Sequence, residues 1–247
     1  MPHTDNGDVS IHYEIDGSGP PLVLQHGFTD SLATWYDSGY VDRLKGHFTL
    51  VMVDARGHGQ SDKPHDVASY AMERRVADIV AVLDAARFSR AHYFGYSMGG
   101  WIGFGMAKYA PGCVKKLVIG AADPGPRQRE GYPLLKPEVV SQGTAAIIPL
   151  WDAPLPPALR DRVLANDIEA IRASRVDDPG YVDILSSINQ PCMLICGDSD
   201  PIYSAVQKAA SQILNARLET IPGLNHAETL FRSDLVVPPM LEFLCGP

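Results

Sequence analysis

One pentapeptide of the sequence combines a serine with glycines two positions before and two positions after it. Gly95-Tyr96-Ser97-Met98-Gly99 stands between a strand-like run, 91–96, and a helical pattern that starts at Met98. A sharp strand-to-helix turn forces its central serine into a strained backbone conformation, in which side chains at the glycine positions would collide. The turn also directs the free N–H groups of the helix toward the hydroxyl. The pattern predicts that Ser97 is a nucleophile.

A glycine-rich turn between a strand and a helix can instead bind a nucleotide phosphate. The dinucleotide pattern G-x-G-x-x-G would require glycine at position 97, and a P-loop would require lysine after Gly100, where Trp101 stands. Neither pattern is present, so the sequence favours the nucleophile.

A serine hydroxyl needs a general base, and the base in turn needs an orienting carboxylate. His226 follows the strand-like run 217–221 and the loop Pro222-Gly223-Leu224-Asn225, which returns it to the edge of the sheet that carries Ser97. Asp200 follows the strand-like run 192–196 by a short turn, and the order Ser, Asp, His is typical of such sites. Asp198 and Asp123 remain alternatives for the acid.

The other histidines are expected to play no part in chemistry. Solvated side chains are the default expectation for His3, His12, His47, His65 and His92. His26 and His58 lie beside glycine turns, where a structural role is the simpler expectation.

The elements that position these residues alternate between strand and helix. Apolar or alternating runs predict strands at 9–15, 22–25, 48–53, 91–96, 114–119, 192–196 and 217–221. Helical spacing predicts helices at 71–87, 98–109, 202–214 and about 233–244. This alternation indicates an α/β fold with a mostly parallel sheet and right-handed crossovers. The proline-rich stretch 123–188 breaks the rhythm and predicts a cap over a core made of 1–122 and 189–247.

Composition narrows the partners. The 247 residues carry a net charge of −8, which argues against nucleic acid and against anionic membranes, so a small molecule is the expected partner. No leader or membrane span is visible, and the four cysteines show no metal-ligand spacing. Cys192 and Cys196 on one strand would lie roughly 13 Å apart, beyond the ~7 Å limit for a disulfide. Free thiols in a cytoplasmic protein without metal or cofactor are therefore predicted, and the oligomeric state is left open.

Five motifs in order resemble those of the α/β-hydrolase family from one end of the chain to the other. They are His26-Gly27-Phe28, the segment Asp54-Ala55-Arg56-Gly57-His58-Gly59-Gln60-Ser61, the turn Gly95 to Gly100, Gly197-Asp198-Ser199-Asp200-Pro201, and Gly223-Leu224-Asn225-His226. The resemblance implies a twisted sheet with helices on both faces and a short helical cap. It places the acid at Asp200, and it implies that the backbone N–H groups of Phe28 and Met98 form the oxyanion hole.

The family resemblance also implies a reaction. We expect hydrolysis of a small carboxylic ester or lactone through an acyl-enzyme, as in the enol-lactone hydrolases that the chain resembles. The single glycine after His26 favours small substrates over bulky esters. Relatives that cleave haloalkanes or epoxides use aspartate where Ser97 stands, and perhydrolases often have proline where Thr29 stands. A C–C bond hydrolase, a perhydrolase and a ligand-binding protein without activity remain alternatives.

Specificity is expected to come from the cap and from aromatic residues near the nucleophile. The residues predicted to line a pocket with Phe28 are Trp35, Trp101, Tyr132 and Trp151, for each of which core packing is the alternative. Four arginines of the cap are candidates for binding an acidic substrate, with a solvated surface position as the alternative: Arg127, Arg129, Arg172 and Arg175.

Overall fold

The computed structural model describes residues 2–126, 141–150, 154–175 and 178–246. Eight strands in these ranges form one sheet in the order β1-β2-β4-β3-β5-β6-β7-β8. The strands are β1 (His3–Asn6), β2 (Val9–Gly17), β3 (Pro21–Gln25), β4 (Thr49–Val53), β5 (Ala91–Tyr96), β6 (Val114–Gly120), β7 (Cys192–Gly197) and β8 (Ala216–Ile221). The pairs β1–β2 and β2–β4 are antiparallel, and the remaining neighbours are parallel.

Helices cover both faces of this sheet. They are α1 (Ala33–Asp37), α2 (Tyr40–Leu44), α3 (Met72–Ala85), α4 (Met98–Tyr109), α5 (Pro157–Leu164), α6 (Ile168–Ala173), α7 (Tyr203–Gln212), α8 (His226–Phe231) and α9 (Ser233–Cys245). Buried side chains of α3, α4 and α7 join one hydrophobic core, and those of α1, α2 and α9 join the other.

The strand sequences explain the two cores, because successive side chains of a strand point to opposite faces. In β3, Val23 belongs to the core under α3 and α4, whereas Leu22 and Leu24 belong to the core on the opposite face. In β7 the same alternation separates Leu194 from Met193. Strands buried on both faces read as continuous apolar runs, which is why the sequence predicted a mostly parallel sheet, and that prediction is confirmed.

In the N-terminal half the structure adds one strand and corrects the prediction for two histidines. Strand β1 was not predicted, because the polar sequence of His3–Asn6 has no apolar alternation, yet it pairs with β2 along its length. His12 and His92 are not solvated: they are 0% and 8% exposed. His12 lies on β2 between Asp54 and the ring of His3, and His92 on β5 packs edge-on against Phe48.

The described residues of 123–188, called the cap segment below, contain helices and no strand. The cap segment contributes α5, α6 and two short 3-10 helices, Thr144–Leu150 and Val182–Ser187. A small hydrophobic cluster holds the cap segment together and also contacts Phe28 and Phe231, which lie outside this segment. The buried members of the cluster are Ile147, Leu159, Val163 and Ile171. The cap segment therefore packs on Phe28 in the loop after β3 and on Phe231 at the end of α8, the helix that begins at His226.

Two findings bear on other predictions from the sequence. The four cysteines are free, and Cys192 and Cys196 lie buried on β7, as predicted. In the ranges that the structure covers, no helix has the length and apolar character needed to cross a membrane.

Candidate active site

Ser97 occupies a strained turn between β5 and α4. Its φ is 54° and its ψ is −113°, outside the conformations that residues with a side chain usually adopt. A Cβ on Gly95 would lie 2.1 Å from the Gly99 carbonyl oxygen, and a Cβ on Gly99 would lie 2.0 Å from the Gln25 carbonyl oxygen. The glycines are therefore required as predicted, although the second makes room for strand β3 and not for the first.

The sheet topology brings a second loop beside this turn. Strand β3 lies between β4 and β5, and the helices that follow β3 and β5 lie on opposite faces of the sheet, which opens a crevice at the carboxyl ends of these two strands. Gly27 follows β3, and a Cβ placed on it would be 3.5 Å from the Ser97 Cβ. The loop His26-Gly27-Phe28 and the turn around Ser97 thus face each other at one edge of the sheet.

Ser97, His226 and Asp200 form a continuous chain of contacts. The Nε2 atom of His226 lies 3.0 Å from the Ser97 hydroxyl oxygen, and its Nδ1 atom lies 2.7 Å from Asp200 Oδ2. A carboxylate only accepts hydrogen bonds, so Nδ1 carries the ring hydrogen and Nε2 is left to accept from the serine. The His226 side chain is 13% exposed and that of Asp200 2%. This arrangement can remove a proton from the hydroxyl and stabilise the resulting imidazolium.

The competing carboxylates make other contacts. Asp198 is exposed and accepts the Gly223 N–H at 2.7 Å. This bond connects the loop that carries Asp200 to the loop that precedes His226. Asp123 accepts the Gly125 N–H at 2.8 Å. The carboxylate that the structure brings to His226 is that of Asp200.

The surroundings of Asp200 hold its carboxylate in place. Its Oδ1 atom accepts the Ile202 N–H at 3.0 Å. The Cys196 thiol lies beside it, and burial together with the charge of Asp200 raises the pKa of that thiol. Because the thiol stays protonated, it can donate a hydrogen bond to the acid.

His226 is the first residue of helix α8, a feature that was not predicted. Asn225 and Glu228 form a capping box, in which the Asn225 side chain accepts the Glu228 N–H and the Glu228 carboxylate accepts the Asn225 N–H. The spacing Asn-x-x-Glu is the sequence signal that could have indicated this helix start. The buried Tyr96 hydroxyl also donates to the His226 carbonyl at 2.6 Å, joining the serine turn to the histidine helix.

His26 organises the loop that follows β3. The Ala55 N–H donates to His26 Nε2 at 3.0 Å, so Nδ1 carries the hydrogen and donates to the Gly27 carbonyl at 2.7 Å. The carbonyl and the N–H of one trans peptide point in opposite directions, so this bond also orients the N–H of Phe28. Met98 is the first residue of α4, and its N–H has no partner inside the helix. The oxyanion role of Phe28 and Met98 stays a prediction.

The segment 54–61 supports the site from behind. The Asp54 carboxylate accepts the N–H groups of Leu32 and Gln60, both at 2.8 Å, and also bonds to His12. Arg56 forms two bonds to Asp78 on α3, at 2.7 and 2.6 Å, with both side chains almost fully buried. These charged residues connect loops to the sheet and to α3.

His58 lies in the same segment, against the loop that carries His26 and Phe28. Its ring packs edge-on against Phe28 at 5.8 Å and lies 5.4 Å from that of His26. Burial, and secondarily the neighbouring His26, lowers the pKa of His58 well below its usual value. His58 therefore remains a neutral packing group, in line with the structural role expected for it.

The predicted pocket aromatics fall into different places. Trp101, one helical turn after Ser97, is 4% exposed and packs edge-on against Tyr181 of the cap segment. The prediction for Trp35 is wrong: it is fully buried in the core, 5.2 Å from the ring of Tyr40, because α1 turns it beneath the sheet. Tyr132 and Trp151 lie outside the described residues.

The four arginines predicted to bind an acidic substrate also have different outcomes. Arg172 donates to Glu169 at 2.6 Å on the exposed side of α6, as a solvated surface pair does. Arg127 and Arg129 lie outside the described residues, and a role for Arg175 in binding an acidic substrate stays a prediction.

Comparison with known proteins gives a consistent family. The profile of the alpha/beta hydrolase fold family matches residues 20–156. A non-heme haloperoxidase from Rhodococcus erythropolis is 28% identical over 280 residues, covering 99% of this chain and 99% of that protein. The chain therefore belongs to the α/β-hydrolase fold family.

Solved structures agree with this assignment. An enol-lactonase from Burkholderia xenovorans LB400 superposes with a TM-score of 0.86 at 22% identity, covering 99% of this chain and 100% of that one. A hydrolase from Pseudomonas aeruginosa PA01 superposes with a TM-score of 0.86 at 25% identity, covering 99% and 98%. The protein is an enzyme of the α/β-hydrolase type.

Proposed function

We propose that this enzyme hydrolyses a small carboxylic ester or lactone through an acyl-enzyme on Ser97. The observation that carries the proposal is the pair of contacts of His226, to the Ser97 hydroxyl at 3.0 Å and to Asp200 at 2.7 Å. A hydroxyl, an imidazole and a buried carboxylate in this order are the groups that acyl transfer needs.

The groups of the site have distinct roles in the proposed reaction. Ser97 attacks the substrate carbonyl while His226 accepts its proton, and the negative charge on the carbonyl oxygen is stabilised by the N–H groups of Phe28 and Met98. His226 then gives the proton to the leaving oxygen. It next activates a water molecule, which attacks the acyl-enzyme and releases the acid. Asp200 stabilises the imidazolium in both halves.

The apolar surroundings favour an uncharged acyl group. Phe28 and Phe231 are partly buried and pack against the hydrophobic cluster of the cap segment; Phe28 is the proposed oxyanion donor and Phe231 ends the helix that begins at His226. Hydrocarbon placed against such a surface gains about 25 cal/mol for each Å² removed from water. A single glycine after His26 leaves less room than a longer glycine run, which also favours small substrates.

Perhydrolysis is a second candidate, favoured by the likeness to a non-heme haloperoxidase. In that reaction hydrogen peroxide would replace water in the attack on the acyl-enzyme. Thr29 argues against it, because its φ is 64°. Proline, which perhydrolases often have at this position, is fixed near −65° and could not adopt the same turn.

The proposal is tested by comparing the wild type with Ser97→Ala on p-nitrophenyl esters of increasing acyl length and on lactones. We expect the substitution to lower kcat by about a millionfold, to the background rate, because related triads lose that much with their serine. Ser211→Ala, a change of an exposed serine on α7, is the matched control and should be unchanged. Substantial ester hydrolysis by Ser97→Ala would refute the proposal, and efficient peroxide-dependent bromination by the wild type would favour the second candidate.

A further inference from the structure

Two residues of the cap segment directly contact the loop 26–30 after β3, which carries the proposed oxyanion donor and is called the oxyanion loop below. Arg162 of α5 donates from Nε to Asp30 Oδ1 at 2.7 Å, and Asn166, just after α5, donates from Nδ2 to the Thr29 carbonyl at 2.8 Å. Asp30 and Thr29 are the residues that follow Phe28, the predicted oxyanion donor. The same loop therefore faces Ser97 on one side and the cap segment on the other.

The contact through Arg162 is shielded from water. The Asp30 side chain is 2% exposed and that of Arg162 is 20% exposed, and Arg162 also bonds through Nη1 to Asp37 Oδ2 at 2.6 Å. Removing the guanidinium would leave the Asp30 carboxylate buried without its counter-charge, which is unfavourable. The ion pair consequently holds α5 and the oxyanion loop together.

The contact through Asn166 supports a strained turn. The φ of Thr29 is 64°, a conformation that is unfavourable for a β-branched residue. The turn is stabilised by the Thr29 hydroxyl, which donates to the Phe28 carbonyl at 2.7 Å, and by Asn166, whose amide also donates to the Arg162 carbonyl at the end of α5. A strained turn persists only while its surroundings hold it, so it should relax when α5 moves.

The Phe28 side chain connects the same two parts. It packs on the cluster of the cap segment that includes Leu159 and Val163 of α5. Phe28 is thus held on two sides: His26 bonds to the Gly27 carbonyl and fixes the peptide before Phe28, and the cap segment packs on the Phe28 side chain.

We propose that Arg162 and Asn166 are positioning residues through which the docked cap sets the direction of the Phe28 N–H. This inference depends on the proposed function, since it concerns the oxyanion donor of that reaction. Catalysis then depends on the cap even for a substrate that is too small to touch it. A cap that only encloses the substrate would instead affect the KM of large substrates and leave small ones alone.

The test uses Asn166→Leu and Arg162→Met in the full chain, with p-nitrophenyl acetate as the small substrate. We expect kcat to fall about tenfold in each variant with KM little changed, because a misdirected oxyanion donor loses part of the 10²–10³-fold effect of a whole one. A boronic acid, which forms a tetrahedral adduct with an active serine, should bind more weakly by a similar factor. Leucine and methionine keep the bulk of the replaced side chains, and Asn166→Leu decides the question if Arg162→Met fails to fold.

Two control variants separate this role from others. Arg160→Met removes the same charge from an exposed position of α5. His65→Ala removes an exposed 3.0 Å contact to Asp167 of the cap segment that involves neither Thr29 nor Asp30. Both should keep the wild-type kcat. An unchanged kcat in folded Asn166→Leu, or an equal fall in His65→Ala, would overturn the proposal. Failure of the proposed function is a distinct result, because Ser97→Ala would then retain the wild-type rate.

Discussion

The described residues include two buried histidine–aspartate pairs of nearly the same geometry. Nδ1 of His226 lies 2.7 Å from Asp200, and Nδ1 of His12 lies 2.8 Å from Asp54. Both carboxylate side chains are 2% exposed. The burial of the carboxylate and the distance between the partners therefore do not distinguish a chemical pair from a structural one.

The second ring nitrogen does distinguish them. Nε2 of His226 faces the Ser97 hydroxyl at 3.0 Å, and the ring is 13% exposed. Nε2 of His12 is buried and has no hydrogen-bond partner among the described residues, and its ring is fully covered. Among the described residues, no group that His12 could deprotonate faces its covered ring, so we expect its pair with Asp54 to contribute to stability and not to catalysis.

The largest expected effect separates the two pairs by mutation. His226→Gln should lower kcat for a p-nitrophenyl ester by about a millionfold, as loss of the base does in related triads, while changing the stability little. His12→Gln should leave kcat near the wild-type value and lower the free energy of unfolding by about 1–3 kcal/mol, the cost of disturbing a buried hydrogen bond. Kinetics and urea unfolding of both variants give the comparison. Equal losses of activity would show that the two pairs do not differ in the way described.

A smaller effect is expected from Tyr96, whose hydroxyl bonds to the backbone of His226 and does not take part in the proposed reaction. Tyr96→Phe removes the hydroxyl that donates to the His226 carbonyl at 2.6 Å and keeps the buried ring. We expect kcat to fall about tenfold with KM little changed, since small displacements of a catalytic group are costly. Tyr70→Phe is the matched control, because the hydroxyl of the buried Tyr70 donates instead to the Pro64 carbonyl, which is not part of the serine turn. If Tyr70→Phe lowered kcat as much as Tyr96→Phe, the bond to His226 would have no special role.

The smallest effect is expected for His92, a buried histidine without an aspartate partner such as those of His226 and His12, and it concerns the pH dependence of stability. Burial, followed by the charges of Lys115 and Lys116, lowers the pKa of His92 to about 4, against about 6.5 in the unfolded chain. As the pH falls below 6.5, the unfolded chain takes up a proton that folded His92 does not, so the free energy of unfolding decreases toward acid pH. His92→Gln should make this decrease smaller by roughly 1–2 kcal/mol between pH 7 and pH 5, the upper value being that of a fully shielded ring with these two pKa values. Urea midpoints at the two pH values measure it, and an equal decrease in both proteins would contradict the assignment.

The sequence was sufficient to predict that the three proposed catalytic side chains would meet, because each follows a buried strand. Parallel strands end at one edge of the sheet, so Ser97, Asp200 and His226 could be brought together without knowing any contact between them. The choice of Asp200 over Asp198 came from family resemblance, and the structure shows the physical difference: Asp198 is exposed and bonded to Gly223.

The remaining contacts could not be predicted, since they depend on how distant segments pack. Tyr96 and His226 are 130 residues apart, and Asn166 and Thr29 are 137 apart. Trp35 was misplaced because α1 has only five residues, too few to show which face turns inward. His12 was misplaced because the polar strand β1, which helps to cover it, gives no apolar pattern.

The most direct test of the central claim is covalent labelling with a fluorophosphonate, followed by mass spectrometry of the modified peptide. Reaction requires a serine whose proton is taken up by the second nitrogen of a histidine, so wild type and His12→Gln should be labelled at Ser97 with one group per chain. Ser97→Ala should not be labelled, and His226→Gln should be labelled far more slowly. Rapid labelling of Ser97 in His226→Gln, or labelling of wild type at another serine, would contradict the assignment of His226 as the base that activates Ser97.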